Sequence, residues 1–376
     1  MDTGFGTSQL YCACRLTITH HFADHDLECK PFNGTGFLVA FPTPDDRIAL
    51  VTNRHLVDAV FYDDTDYKGA TIKSLKLEWW QSKILRLEHT IIEPNLLYHE
   101  DPTIDVAIIP IAAEPGGAPI EIYATLFADT AEWIAEESAE ELTFNHALSW
   151  EYLLECENLW PSLEPGEFVS FPGYPIWYDR LQSRPVLRSG VIASDPQTDY
   201  RLRGGDPKPS DGNRQVLFDA FSTSGNSGSP IFVAQRGLPP LDLRLPLIKG
   251  QPPFQGKLTF TGYRRSFLVG INIGHYDDPK SPRPNDHAGL SRLHKLSAII
   301  DVLRANAVPH EMDTRRILFH LPVPADPKDR LKAETAARDK KITALGREGK
   351  SYKSIADEVG CSASTVSRVI KRLSKT

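Results

Sequence analysis

Ser224-Gly-Asn-Ser-Gly-Ser-Pro230 has the residue types of a nucleophile turn. An attacking serine needs an exposed hydroxyl on a tight turn, with uncovered backbone N–H groups nearby to receive the oxyanion. Gly225 and Gly228 permit that turn and leave donors uncovered. Ser227 is then the candidate nucleophile, and the N–H groups of Gly225 and Ser227 are the candidate oxyanion hole. A base and an orienting acid precede it in the chain order His–Asp–Ser, one of the orders in which such triads occur. His55 lies in Val51-Thr-Asn-Arg-His-Leu-Val57, at the end of an apolar strand. Asp105 lies in Thr103-Ile-Asp-Val-Ala-Ile-Ile109, at the start of another. Order alone carries little weight in a long chain; the local contexts supply the specificity. Asp101 competes for the acid's role, and Asp105 is preferred because it directly abuts the apolar strand.

Those segments, with Gly34-Thr-Gly-Phe-Leu-Val39 ahead of them, resemble the trypsin-like serine proteases, and among these the bacterial Deg/HtrA and glutamyl endopeptidase branch. Phe171-Pro-Gly-Tyr-Pro175, Ser189-Gly-Val-Ile-Ala193 and Val269-Gly-Ile-Asn-Ile-Gly274 are similar to second-barrel signatures of the same families. The resemblance spans residues 34–274. It implies two antiparallel β-barrels with the site between them, His55 as general base, Asp105 as its orienting acid and Ser227 as nucleophile. It also implies that Phe221 and Ser222 form the floor of the substrate pocket, and that Asn272, Ile273, Gly274 and His275 form a wall that pairs with substrate backbone. No acid is placed there to receive Lys or Arg. Glutamyl endopeptidases use a histidine in that wall, where this chain has Asn272, with His275 three residues on; a loop histidine is the plainer reading of His275. A small or apolar side chain before the scissile bond is the expectation.

The elements that must position these residues read as short strands. Tyr11 to Ile18 alternates, with Cys12, Cys14, Leu16 and Ile18 on one face. Strands are also expected at 37–41, 47–52, 74–78, 106–110, 168–171, 188–193, 216–218, 230–233 and 267–272, separated by Gly, Pro and Asp turns. The fold class is therefore mainly β. A protease domain is expected over 1–310, with barrel one about 10–125 and barrel two about 165–305. Between them, 129–160 holds nine Asp/Glu and no Lys or Arg, and 131–137 and 150–155 look helical. Residues 236–262 are Pro/Gly-rich, a long surface loop or a short hairpin. Trp79-Trp80 reads as a packing pair.

The 376 residues carry a net charge of −7 that is unevenly spread. Residues 328–376 hold thirteen Lys/Arg against six Asp/Glu, leaving −14 on the rest. Leu321-Pro-Val-Pro-Ala-Asp-Pro327 lies before this basic tail and reads as part of a linker, 311–328. In the tail, 329–376, a helix is expected over about 329–347. Ile355, Ala356 and Val359 then share a helical face, Gly360 suits the turn, Ser362 caps, and Val366, Val369 and Ile370 stripe a second helix. The segment resembles the helix-turn-helix of resolvases and small regulators. That resemblance implies Ser364, Thr365 and Arg368 facing bases, with Lys350, Lys353, Lys371 and Arg372 on phosphates. Docking on a protein is the alternative use, and the acidic 129–160 segment offers an intramolecular partner.

No run approaches the roughly 18 apolar residues of a membrane span. No leader or lipidation signal is readable, and five cysteines fit reduced thiols in a cytoplasm. Cys12, Cys14, His20, His21, His25 and Cys29 match no closed zinc spacing, so neither metal nor cofactor is expected. Three functions follow. One is a serine endopeptidase joined to a DNA- or partner-reading tail, a combination that suggests a bacterial stress or defence effector. Another is a DNA-binding regulator whose protease-like body is latent or cleaves only itself. The third is a catalytically dead scaffold.

Overall fold

The computed structural model describes residues 7–373 except 23–26, 29–30, 45–46, 63–66, 112–119, 128–145, 202–213, 245–254, 278–286, 308–316, 321–334, 336–337, 340 and 348–349. The N-terminal half contributes β1 (Ala13–Phe22), β2 (Leu27–Glu28), β3 (Phe32–Ala40), β4 (Ile48–Thr52), β5 (Ala70–Trp80), β6 (Leu85–Ile92), β7 (Leu97–Tyr98), β8 (Ala107–Ile111) and β9 (Ile120–Leu126). They form one curled antiparallel sheet, a half-barrel in the order β9-β6-β5-β1-β3-β4-β8-β7, with β2 against the end of β1. The alternation read from Cys12 to Ile18 is real: Cys14, Leu16 and Ile18 are buried, and β1 pairs β3 and β5 on its two edges. In β4 every residue is buried, as a strand covered on both faces must be.

The second half closes. β10 (Phe168–Gly173), β11 (Val186–Ile192), β12 (Gln215–Asp219), β13 (Pro230–Val233), β16 (Phe267–Asp277) and β17 (His287–Lys295) make a six-stranded barrel in the order β10-β11-β12-β17-β16-β13. Between β13 and β16, β14 (Leu241–Arg244) and β15 (Gln255–Leu258) pair as a hairpin, so of the two readings of 236–262 the hairpin is the one seen. β18 (Ile317–His320), from the linker region, pairs in parallel with β9 and becomes the outer strand of the first sheet. One core cluster runs through both halves, from Phe37, Val51 and Ile108 to Phe171, Phe218 and Ile271. Trp79 and Trp80 are both buried, and the Trp80 indole N–H donates to Ser183 O across the halves at 2.9 Å.

Of the acidic segment, 131–137 lies outside the described residues. The second expected helix is present as Trp150–Leu159, capped by the Ser149 hydroxyl, which accepts from Tyr152 N–H. Its Leu153 and Cys156 enter the core, and two of its three acids have partners on the second half: Glu155 meets Arg265 and Glu157 meets Arg304. A helix absent from the sequence reading, Leu296–Ala305, follows β17 and buries Leu296, Ile299, Ile300 and Leu303.

In the tail, 341–347 is helical and precedes Tyr352–Val359 and Ala363–Leu373. These pack on one another through Ile342, Leu345, Ile355, Ala356, Val366 and Val369. Gly360 ends the middle helix at φ +67°, the left-handed C-cap that glycine adopts without penalty. Residues 352–359 and 363–373, joined by three residues, form the helix-turn-helix. No helix among the described residues is long and apolar enough to cross a membrane.

Candidate active site

His55 sits in a single helical turn, Arg54–Val57, that leaves the buried end of β4. Asp105 sits just before β8, which pairs β4 in register from Thr52–Ala107 onward. The pairing brings the two side chains together: His55 Nδ1 lies 2.6 Å from Asp105 Oδ2, and the His55 backbone N–H donates to Oδ1 at 2.9 Å. Asp105 is completely buried. Burial works to raise its pKa, but the charge and hydrogen bonds of His55 outweigh it and hold the carboxyl below its ordinary range. Asp101 instead accepts from Thr103 N–H and Oγ1 at 2.9 and 2.7 Å, closing its own turn.

Three groups outside the sequence reading support this pair. The Asn53 amide donates to Asp105 O at 2.9 Å. The Tyr62 hydroxyl donates to Asp105 Oδ2 at 2.8 Å, and its ring stacks on the His55 imidazole. His294, from β17 in the other half, accepts the Asp105 backbone N–H on Nε2 at 2.9 Å. That bond requires a neutral Nε2, and burial depresses the His294 pKa to about 4. Asn53 lies within the Val51–Val57 segment, whereas Tyr62 and His294 have no sequence signal of their own, because each acts by meeting a residue distant in the chain.

Ser227 lies in the loop between β12 and β13, with Gly225 at φ +93° and Gly228 at φ +87°. A Cβ on Gly225 would stand 2.3 Å from Tyr174 O, and one on Gly228 1.8 Å from Thr35 O, so both positions demand glycine. Thr35 clamps this loop from the first half. Its N–H donates to Ser227 O at 2.8 Å, its hydroxyl donates to Gly225 O at 2.7 Å, and the same oxygen accepts Tyr174 N–H at 3.0 Å. The amides of Asn226, Gly228 and Ser229 are spent on Thr223 O, Asn272 O and Asn226 O. Among the described residues, the amides of Gly225 and Ser227 have no acceptor. Ser224 O accepts from Ile176 N–H at 3.2 Å, which turns the Gly225 N–H of the same peptide the opposite way.

His55, Ser224, Gly225 and Ser227 line one cleft of about 410 Å³, with Phe32, Leu56 and Tyr62 among its other walls. The Ser227 hydroxyl donates to Ile273 O at 3.3 Å. Of the expected pocket residues, Ser222 and Asn272 are buried together: the Asn272 amide donates to Ser222 Oγ at 3.1 Å and to Asn226 O at 2.8 Å. Ile273 is buried, whereas Phe221 is 58% exposed with the Arg188 guanidinium above its ring. Gly274 and His275 follow on β16, with His275 opposite Ser291 of β17. In the tail, Ser364, Arg368 and Lys371 are exposed and Thr365 is half-buried; the side chain of Arg372 lies outside the described residues. Lys350 pairs with Glu358 at 2.8 Å. Cys12 and Cys14 are buried in the core, and His25 and Cys29 lie outside the described residues.

Residues 340–373 match the model of a helix-turn-helix domain family. No curated protein matches the chain. Among solved structures the chain is similar to the thermostable serine protease AL20 from an extremophilic microorganism, at 11% identity and a TM-score of 0.40, over 80% of this chain and 98% of that one. It is also similar to the Rv3671c protease in its inactive form, at 14% identity and a TM-score of 0.35, over 80% and 91% of the two chains.

Proposed function

We propose that the chain is a serine endopeptidase with a C-terminal helix-turn-helix that reads DNA. The carrying observation is the pair of acceptor-free amides of Gly225 and Ser227 on the same cleft as a histidine locked to a buried carboxylate. In this reading the Ser227 hydroxyl leaves Ile273 O, turns to His55 and attacks the carbonyl carbon of the scissile bond as Nε2 takes its proton. The carbonyl oxygen, now an anion, is received by the two amides. The tetrahedral intermediate collapses, the C–N bond breaks, and His55 returns the proton to the leaving amine. Water then repeats the sequence on the acyl-enzyme, with His55 again as base. Asp105 stays ionised throughout, fixes the tautomer that presents Nε2 to Ser227, and stabilises the imidazolium.

For specificity, no acid lies among Phe221, Ser222 and 272–275 to receive Lys or Arg, which supports a small or apolar side chain before the scissile bond. The helix-turn-helix would place Ser364, Thr365 and Arg368 against base edges and Lys371 and Arg372 against phosphates. A second reading, a DNA-binding regulator with a latent body, is favoured by the resting bond of Ser227 to Ile273 O. A fluorophosphonate serine probe separates them. Labelling of the full chain that disappears in Ser227→Ala is the expected result. No labelling of the wild type refutes an active site poised at rest. Intact mass over time then shows whether a cut appears in the chain itself, lost in Ser227→Ala, as the self-cleaving form of the second reading requires.

A further inference from the structure

The Asp105 carboxylate is fully buried, so its lone pairs must be filled by protein groups. Among the described residues three donors reach it: the His55 N–H on Oδ1, and His55 Nδ1 and the Tyr62 hydroxyl on Oδ2. Tyr62 is therefore the one donor to this carboxylate that the histidine does not itself supply. Desolvation of its hydroxyl, which sits on the fully buried Asp105 carboxylate, and the Asp105 charge push the Tyr62 phenol well above its ordinary range, so it stays protonated and able to donate although the residue is part-exposed. Its ring lies 5.3 Å from the His55 ring, centroid to centroid, with 29° between the planes.

The chain folds back to make this contact. Asp58 N–H returns to Arg54 O at 2.7 Å and Phe61 N–H to Asp58 O at 3.1 Å, a tight turn. Phe61 is buried beneath the Arg54 guanidinium, which pins the turn and leaves Tyr62 over the imidazole. Tyr62 is 40% exposed and lines the cleft, which is not how a side chain serving only to fill the core is placed. On β16, the Ile273 carbonyl accepts the Ser227 hydroxyl.

We propose that Tyr62 is a positioning residue of the serine-protease site: its hydroxyl holds Asp105 Oδ2 in register with His55, and its ring holds the imidazole in plane for proton transfer with Ser227. The inference rests on the protease reading. The charged and titratable groups around the contact are His55 and the ion-paired Asp58 and Arg54 on the first half, with His294 and Arg292 facing it from β17.

The test uses the full chain and Tyr62→Phe, which keeps the ring and deletes the donor. Two readouts are followed from pH 5 to 9: the second-order rate of fluorophosphonate labelling, and the downfield proton resonance of His55 Nδ1–H. The expected loss is about tenfold in the plateau labelling rate, the scale of one charge-assisted hydrogen bond. The acid limb of the profile should move up by about half a pH unit, because a carboxylate with one donor fewer draws harder on the imidazolium. The Nδ1–H resonance should shift in the same variant, and Tyr62→Ala, which removes the ring as well, should label more slowly still. A Tyr62→Phe chain with the wild-type rate, limb and resonance overturns the inference. If the wild type does not label at all, the protease reading fails by itself, and the resonance alone decides whether Tyr62 governs the Asp105–His55 bond.

Discussion

His294 is the place where acid should unmake this fold. The residue is fully buried, its Nε2 accepts the Asp105 N–H, and its pKa falls from the ordinary 6.5 to about 4. Below pH 6.5 the unfolded chain binds a proton at this histidine that the folded chain refuses. Stability is therefore complete above pH 6.5 and declines until the folded form itself protonates near pH 4. Each pH unit of that window is worth about 1.4 kcal/mol, so the span of two and a half units amounts to about 3 kcal/mol. The measurement is urea unfolding at pH 7.5, 6, 5 and 4.5 for the wild type and for His294→Gln, whose amide oxygen can still accept from Asp105 but does not titrate. All six tryptophans lie outside the helix-turn-helix, so their fluorescence reports on the β body alone. Other groups titrate in both proteins and cancel in the difference. The wild type should lose about 3 kcal/mol relative to the variant as pH falls from 7.5 to 4.5. A difference that stays flat across this range would refute the argument and mean that His294 is not held neutral by its burial.

Thr35→Val keeps the shape of the clamp and removes its hydroxyl. Gly225 O and Tyr174 N–H are then left unpaired, at a cost of about 2 kcal/mol in urea unfolding, and labelling of Ser227 should fall at least about tenfold as the oxyanion loop loses its reference point. Unchanged labelling would show that the loop holds its shape without Thr35. For the tail, gel shifts of the full chain on duplex DNA should weaken steeply with salt, and Lys371→Ala should reduce the slope of log affinity against log salt by about one. An absence of binding at about 50 mM salt would sink the groove-reading proposal.

How far the sequence alone reaches follows from where the determinants lie. The strands on which His55, Asp105 and Ser227 are hung are legible because each is a short apolar run bounded by turn residues, as in Arg47 to Thr52 and Pro230 to Val233. β6 and β17 escape the same reading: Leu85-Arg-Leu-Glu-His and Leu290-Ser-Arg-Leu-His interleave charged and imidazole side chains that find partners only in the assembled body. The helix at 296–305 is equally hidden, since its apolar face is covered by elements far along the chain, β8 and the helix at 150–159, as well as β16. The candidate nucleophile turn announces itself through glycines that a Cβ would drive into Tyr174 O and Thr35 O, a local necessity written locally. Tyr62 and His294 announce nothing. Their roles come from contacts across 43 and 189 residues of chain, which no spacing encodes.

The same long contacts explain why the site belongs to the whole body rather than to either half. Asp105 is carried by the first half, yet its backbone N–H is received by His294 of the second. Ser227 and its loop are carried by the second half, yet Thr35 of the first fixes the carbonyls on both sides of Asn226. In the proposed reading each half thus holds the other's candidate reacting group, and a shift of one against the other would disturb the proposed acid–base pair and oxyanion loop together. The shared core from Val51 to Ile271 resists that shift, because sliding it would open gaps in close-packed side chains. On this argument, substitutions that loosen the seam between the halves should reduce labelling of Ser227 even when they lie far from the cleft, whereas substitutions on the outer face of the first sheet should not.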